Sequence, residues 1–254
     1  MRTRYLLSSL LLFVLQFLTV LQLNAQGSER SDDEECGSST LTGYIIEGTT
    51  LVGTVVLHEF GHFVVAKMAG SQEVYMDFTP FKYGPTSLAA TLVDPVGLTD
   101  LDFTWISIAG VGTTRLMAEG ADLLSKRWDD DEGCPGFGRR LTSAFFVKGR
   151  LDFPLYVVSN MFTEILGEKG GDMSILISST LGNETTDRII GYGGLLVIAG
   201  VDLWFDRHRI FRHLEVASGA YQYPRDDVGM IESEWELTPV VSLDGFGLYL
   251  SGRW

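Results

Sequence analysis

The sequence predicts a mainly α-helical protein, a multi-helix bundle with small β-hairpins, one of them at the C-terminus. Three observations carry this expectation. Apolar stretches of helical length recur between charged or glycine-rich breaks, at 51–69, 101–124, 141–166 and 187–205. The β-prone segments are short and come in pairs, at 73–92 and at the end of the chain. His58 and His62 stand at i and i+4, a spacing that shares one face only on a helix.

Residues 1–25 read as a targeting segment. Arg2 and Arg4 precede an apolar core from Tyr5 to Leu23, and Leu23-Asn24-Ala25 precedes Gln26. The core is long for a signal peptide and Leu23 is not a small residue, so an uncleaved membrane anchor is the alternative. Either way the chain is expected in the secretory pathway, membrane-associated or in a periplasmic or extracellular space. Residues 26–40 form an acidic linker containing Asp32-Asp33-Glu34-Glu35. Cys36 and Cys134 are the only cysteines. In an oxidising compartment they are a candidate disulfide, and otherwise two unpaired thiols.

Residues 41–218 read as one helical domain. Its first helix should begin between Leu41 and Thr50 and stop near Gly70. It is apolar nearly all round, as a buried or membrane-embedded helix is. A hairpin is expected over 73–92, broken by Pro80, Gly84 and Pro85, then a helix over 101–124 in which Gly110 and Gly112 allow close helix contact. The acid-rich segment 128–136 reads as a solvated loop. Two further helices are expected, over 141–166 and 187–205. The apolar run Ile189–Gly200 is shorter than the roughly 20 residues that span a bilayer, and Lys148, Arg150 and Asp152 interrupt the segment before it. His208 and His213 lie among arginines at i+5 spacing and read as a solvated basic face. Asn183-Glu184-Thr185 fits a glycosylation sequon. Residues 219–254 form the C-terminal segment, with strands at Trp235–Leu243 and Phe246–Trp254 about an Asp244-Gly245 turn.

The chain carries 33 acidic and 19 basic side chains, a net charge of −14. Nucleic-acid binders present a basic footprint, so no nucleic-acid partner is expected.

The chemistry concentrates in His58-Glu59-Phe60-Gly61-His62. On a helix both imidazoles reach one ion while Glu59, one step round, addresses a water beside it, the arrangement of a catalytic zinc site. Two histidines and a glutamate in an apolar helix are costly unless something satisfies them, and a metal does so. A third protein ligand must come from elsewhere in the chain.

Leu57-His58-Glu59-Phe60-Gly61-His62-Phe63, with Ala66 beyond, resembles the first active-site helix of site-2-protease-type zinc metallopeptidases. The resemblance is specific over 49–70, suggestive over 73–176, where Ile108-Ala109-Gly110-Val111-Gly112 is a weak further match, and silent on the C-terminal quarter. It implies a zinc ion (Zn2+), Glu59 as general base, a peptide or protein substrate associated with a membrane, and a third ligand from an aspartate that opens a later helix. Gly170-Gly171-Asp172-Met173 is the matching stretch, which makes Asp172 the expected ligand. It departs from the family pattern in having Met after Asp, and Asn160 has no proline close behind it. Glu164 and Glu168 are rival ligands of a thermolysin-like set, and Asp172 could instead cap the helix that follows. The competing readings of function are a non-catalytic pseudo-peptidase and a structural envelope protein, the latter because the terminal strand resembles the closing strand of outer-membrane barrels.

Overall fold

The computed structural model describes residues 40–80, 82, 88–127, 135–165 and 171–219, and the backbone of 235–242 and 245–252. The fold is mainly helical. Five helices are found among the described residues: α1 Thr40–Met68, α2 Asp100–Ser125, α3 Phe137–Ile165, α4 Asp172–Thr180 and α5 Thr185–Ser218. Between α1 and α2 lies an antiparallel hairpin of β1 (Val74–Asp77) and β2 (Ala90–Val93), with Tyr75 opposite Leu92 and Met76 opposite Thr91. A second hairpin, β3 (Trp235–Ser242) with β4 (Gly245–Gly252), belongs to a separate unit, 222–254. The targeting segment, Cys36, Cys134 and 128–134 lie outside the described residues.

Local chemistry accounts for where these helices start and stop. Thr99 caps α2 by accepting from the Asp102 amide while Asp102 accepts from the Thr99 amide, so two otherwise orphaned donors are satisfied reciprocally. Glu184 and Asp187 do the same for α5. α1 starts at Thr40, just ahead of the expected window, and the chain leaves it through Gly70 at φ 95°, a left-handed conformation that suits glycine.

Helix α2 is the centre of the bundle, packed against α1, α3 and α4, while α3 also packs against α5. Small residues let the backbones come close. A Cβ on Gly149 of α3 would stand 2.5 Å from the Thr114 carbonyl of α2, so only glycine fits at that crossing. Around it Ala118, Ala121, Phe146 and Val147 form one buried cluster joining α2 to α3, with Ile210 and Leu214 of α5 against it. Val157, Met173, Ile177 and Tyr192 form a second, which seats α4 between α3 and α5.

Several expectations are corrected. α5 does not stop at Phe205: it runs to Ser218, so Ile189–Gly200 is part of a 34-residue helix rather than a run too short to cross a bilayer. His213 is buried, not part of a solvated basic face. Its Nε2 lies 2.8 Å from Asp122 Oδ1 and its Nδ1 3.0 Å from Ser143 Oγ. Arg209 beside it is compensated by Glu119 and Asp122 of α2 and, on its own helix, by Asp206. Gly112 meets nothing within 4 Å among the described residues, so of the two expected glycine contacts on α2 only Gly110 is one. Ser242 pairs with Gly245, so residues 243–244 connect the C-terminal strands and Gly245 opens β4 instead of completing the turn.

Among the described residues, two helices are long and apolar enough to cross a membrane, α1 over Leu41–Met68 and α5 over Thr185–Ser218. Their apolar side chains point largely outwards: in α5 only 17% of the most apolar window is buried, and Ile189, Val197, Ile198 and Trp204 are exposed. Charged side chains meet between the helices as well. Lys148 of α3 pairs with Glu47 of α1, Arg150 of α3 with Glu119 and Asp206, and Arg115 of α2 with Asp202.

Candidate metal centre

Helix α1 presents His58 and His62 to the bundle interior one turn apart, their rings edge to face at 4.8 Å. The first residue of α4 is Asp172, and its carboxylate enters the same space. His62 Nε2 is 2.9 Å and His58 Nε2 4.0 Å from Asp172 Oδ2, and one ligand atom from each of the three residues lies within 4.8 Å of the others. Ligand atoms on a tetrahedral ion with zinc-like bonds stand about 3.3 Å apart, a value the two measured separations bracket.

The outer ring nitrogens are both engaged. His58 Nδ1 lies 2.8 Å from Asp152 Oδ2, and His62 Nδ1 lies 2.6 Å from the Ile106 carbonyl of α2. A carboxylate and a carbonyl accept hydrogen bonds, so each Nδ1 donates. In the neutral ring this leaves the lone pair on Nε2. Both Nε2 atoms are buried, and neither has a hydrogen-bond partner among the described residues; the 2.9 Å approach to Asp172 lacks hydrogen-bond alignment. Two orphaned imidazole nitrogens converging on a carboxylate are a donor set that a divalent ion would satisfy.

The surrounding residues hold this arrangement. Asp152 also accepts from the Thr114 hydroxyl at 2.7 Å. The Tyr156 phenol donates to Asp172 Oδ2 at 2.6 Å, and its ring lies 4.6 Å from that of His58. Burial would raise the Asp172 carboxyl, but the positive charge of the two histidines when protonated outweighs it and holds the group far below the usual carboxylate range, as the charge of an ion in their place would. Burial, reinforced by Asp172, Glu59 and Asp152, pushes the Tyr156 phenol well above its ordinary value, so it is a donor at every physiological pH. Glu59 is buried, and the Thr91 hydroxyl of β2 lies 2.9 Å from both its Oε2 and its carbonyl oxygen. The histidines are almost wholly enclosed, whereas 24% of the Asp172 side chain is exposed, so the centre opens to solvent beside Asp172.

Asp172 does not cap α4. The capping position is Gly171, which has no side chain to offer, and the Asp172 carboxylate turns to His62 and Tyr156. The rival Glu164 is taken up by Arg188 and by the Tyr192 hydroxyl at 2.8 Å. Glu168 lies outside the described residues. Asn160 accepts from the Met173 amide at 3.3 Å and so seats the start of α4. Sequence reasoning missed Asp152, Tyr156, Thr114 and Thr91 as parts of the centre. One signal was available: Asp152, Tyr156 and Asn160 recur every four residues as a polar stripe through an apolar helix.

No family model, curated protein or solved structure matches this chain.

Proposed function

We propose that the protein is a membrane-associated zinc metallopeptidase in which His58, His62 and Asp172 hold the ion and Glu59 is the general base. The observation that carries this reading is the pair of buried, partnerless Nε2 atoms, each fixed by a hydrogen bond from its own Nδ1 and both turned towards Asp172 Oδ2. Two histidines and one carboxylate also suit iron. Glu59 favours zinc and hydrolysis, because a buried carboxylate on the same helical turn supplies the general base that peptide cleavage needs and that oxygen activation at iron does not call for.

When bound, zinc polarises the scissile carbonyl and lowers the pKa of water to roughly 7. Glu59, held by Thr91, takes a proton from the attacking water as its oxygen bonds to the carbonyl carbon. It returns that proton to the amine nitrogen as the carbon–nitrogen bond breaks.

The membrane part of the reading rests on α1 and α5. At 1.5 Å per residue the 28 and 34 residues of their candidate spans measure about 42 and about 51 Å, against a hydrocarbon core of about 30 Å. Ionisable residues in such segments face a bundle interior and mark function, which is where His58, Glu59 and His62 lie. With the targeting segment at 1–25, this reading puts the protein in the secretory pathway, acting on a peptide or protein at a membrane.

The test is metal content by mass spectrometry on the purified full chain, with hydrolysis of an unfolded protein reporter measured alongside. The reading requires near-stoichiometric zinc that is lost in His62→Ala. It also requires Glu59→Gln to keep its zinc while turnover drops by at least about a hundredfold. Folded, metal-replete wild type that holds no zinc overturns the metal centre, and persistent cleavage by Glu59→Gln overturns the mechanism.

A further inference from the structure

We propose that one face of α3 sets how tightly the centre holds its ion, with Asp152 and Tyr156 as positioning residues for His58 and Asp172. The inference rests on the metal-centre reading and goes beyond it, because neither residue would touch the ion.

The two side chains stand at i and i+4 on α3 and therefore share a face. Each addresses a ligand from a different helix. Asp152 Oδ2 accepts from His58 Nδ1 of α1 at 2.8 Å, and Tyr156 donates to Asp172 Oδ2 of α4 at 2.6 Å. A third helix braces the first of these contacts: the Thr114 hydroxyl of α2 donates to the same Asp152 oxygen at 2.7 Å. The imidazole plane and the carboxylate torsion are thus fixed from one rigid element, although the ligands are 114 residues apart in the chain.

The electronic effects of the two contacts differ. A carboxylate on the Nδ1–H of a metal-binding histidine raises the basicity of its Nε2 and fixes the tautomer, and loss of such a partner typically weakens metal affinity 10–100-fold. A phenol on a ligating oxygen draws charge away from it. Its benefit is positional: it keeps Oδ2 facing the histidines from a helix only nine residues long. Asp152 should therefore matter more than Tyr156.

The experiment is competition between the full-length protein and a chromophoric chelator, with zinc alone as the probe. Wild type is compared with Asp152→Asn, Tyr156→Phe, Thr114→Val and His62→Ala. The visible spectrum of the cobalt-substituted proteins and the thermal midpoint of each metal-free protein are recorded alongside. The expected result is a 10–100-fold loss of zinc affinity in Asp152→Asn, with a smaller loss of about threefold to tenfold in Tyr156→Phe. The cobalt spectra should shift while the metal-free midpoints stay near wild type. Thr114→Val keeps the carboxylate and removes only its brace, so its expected loss lies between wild type and Asp152→Asn and gives a reading independent of how well that variant folds. If all three variants hold zinc within twofold of wild type while His62→Ala loses it, the metal centre stands and this inference falls. If wild type itself takes up no zinc, both fall.

Discussion

A Cβ placed on Gly110 would stand 2.5 Å from His58 Nε2, and just as hard against His62 Nε2. The backbone of α2 is therefore the floor of the centre, and the two imidazoles lie directly on it. A hydrogen in place of a side chain at Gly110 is what lets α1 come close enough for its histidines to meet a carboxylate from α4.

Gly110→Ala should accordingly abolish zinc binding without unfolding the bundle. Within a helix alanine is favoured over glycine by roughly 0.5–1 kcal/mol, so helicity measured by circular dichroism should hold while the imidazoles are displaced. Gly112→Ala on the same helix meets nothing within 4 Å and serves as the control. It should keep its zinc and melt at or slightly above the wild-type temperature. Full zinc content in Gly110→Ala would mean that the histidines reach their ligand geometry in some way other than the one described.

Thr91 offers a second test, directed at the base and not at the metal. Its hydroxyl is the hydrogen-bond partner found for Glu59 Oε2, and it sits on β2, outside the helical bundle that carries the ligands. Thr91→Val preserves shape and removes that hydrogen bond. Zinc content should be unchanged, and kcat should fall by about tenfold with little change in KM, since a misaligned base is felt in the transition state and not in substrate binding. A variant with full turnover would show that Glu59 is oriented by its helix alone.

What could be read from the sequence was what is local along the chain. His58, Glu59 and His62 declare themselves because four-residue spacing on a helix is a local fact, and Asp172 was reachable only through the family resemblance, which implies an aspartate in a short glycine-containing stretch at the start of a later helix. Asp152 was legible as a charge interrupting α3 and as one end of a polar stripe, but not as the partner of His58, which is 94 residues away. The misreading of His213 has the same cause. Its arginine neighbours suggest a basic surface until Asp122, 91 residues earlier, is seen to meet His213 and Arg209 together. Charge compensation between helices is a tertiary property. Composition shows the charges but not which of them meet.

The outward apolar side chains of α5 can be tested by charge insertion. Val197 is 66% exposed within the candidate span, so an arginine there would project outwards from the helix bundle. An arginine at the centre of a membrane helix costs about 3 kcal/mol of insertion free energy. Val197→Arg should therefore reduce the folded, membrane-integrated yield severalfold or more, whereas Val197→Leu should leave it unchanged. Equal yields for the two variants, measured by alkaline extraction of membranes, would remove α5 from the bilayer.

Acid stability offers a test far from the metal. Asp122 on α2 accepts from His213 Nε2 at 2.8 Å and from Arg209 at 3.0 Å, and pairs with Lys126 at 3.1 Å. Burial works against its ionisation, but these partners outweigh it and hold the carboxyl down at about 2, from an ordinary value of 3.8. Because the folded-state value is depressed, the unfolded chain takes up the proton first as pH falls. The stabilisation is thus complete above about pH 4 and drains away as pH drops through about 2. Asp122→Asn should melt well below wild type at pH 7, since removing one partner of a buried ionic cluster costs about 3 kcal/mol. The gap between the two Tm curves should narrow from pH 4 downwards. A gap that stays constant to pH 2 would show that α5 is pinned to α2 by packing around Phe146 and not by the charge on Asp122.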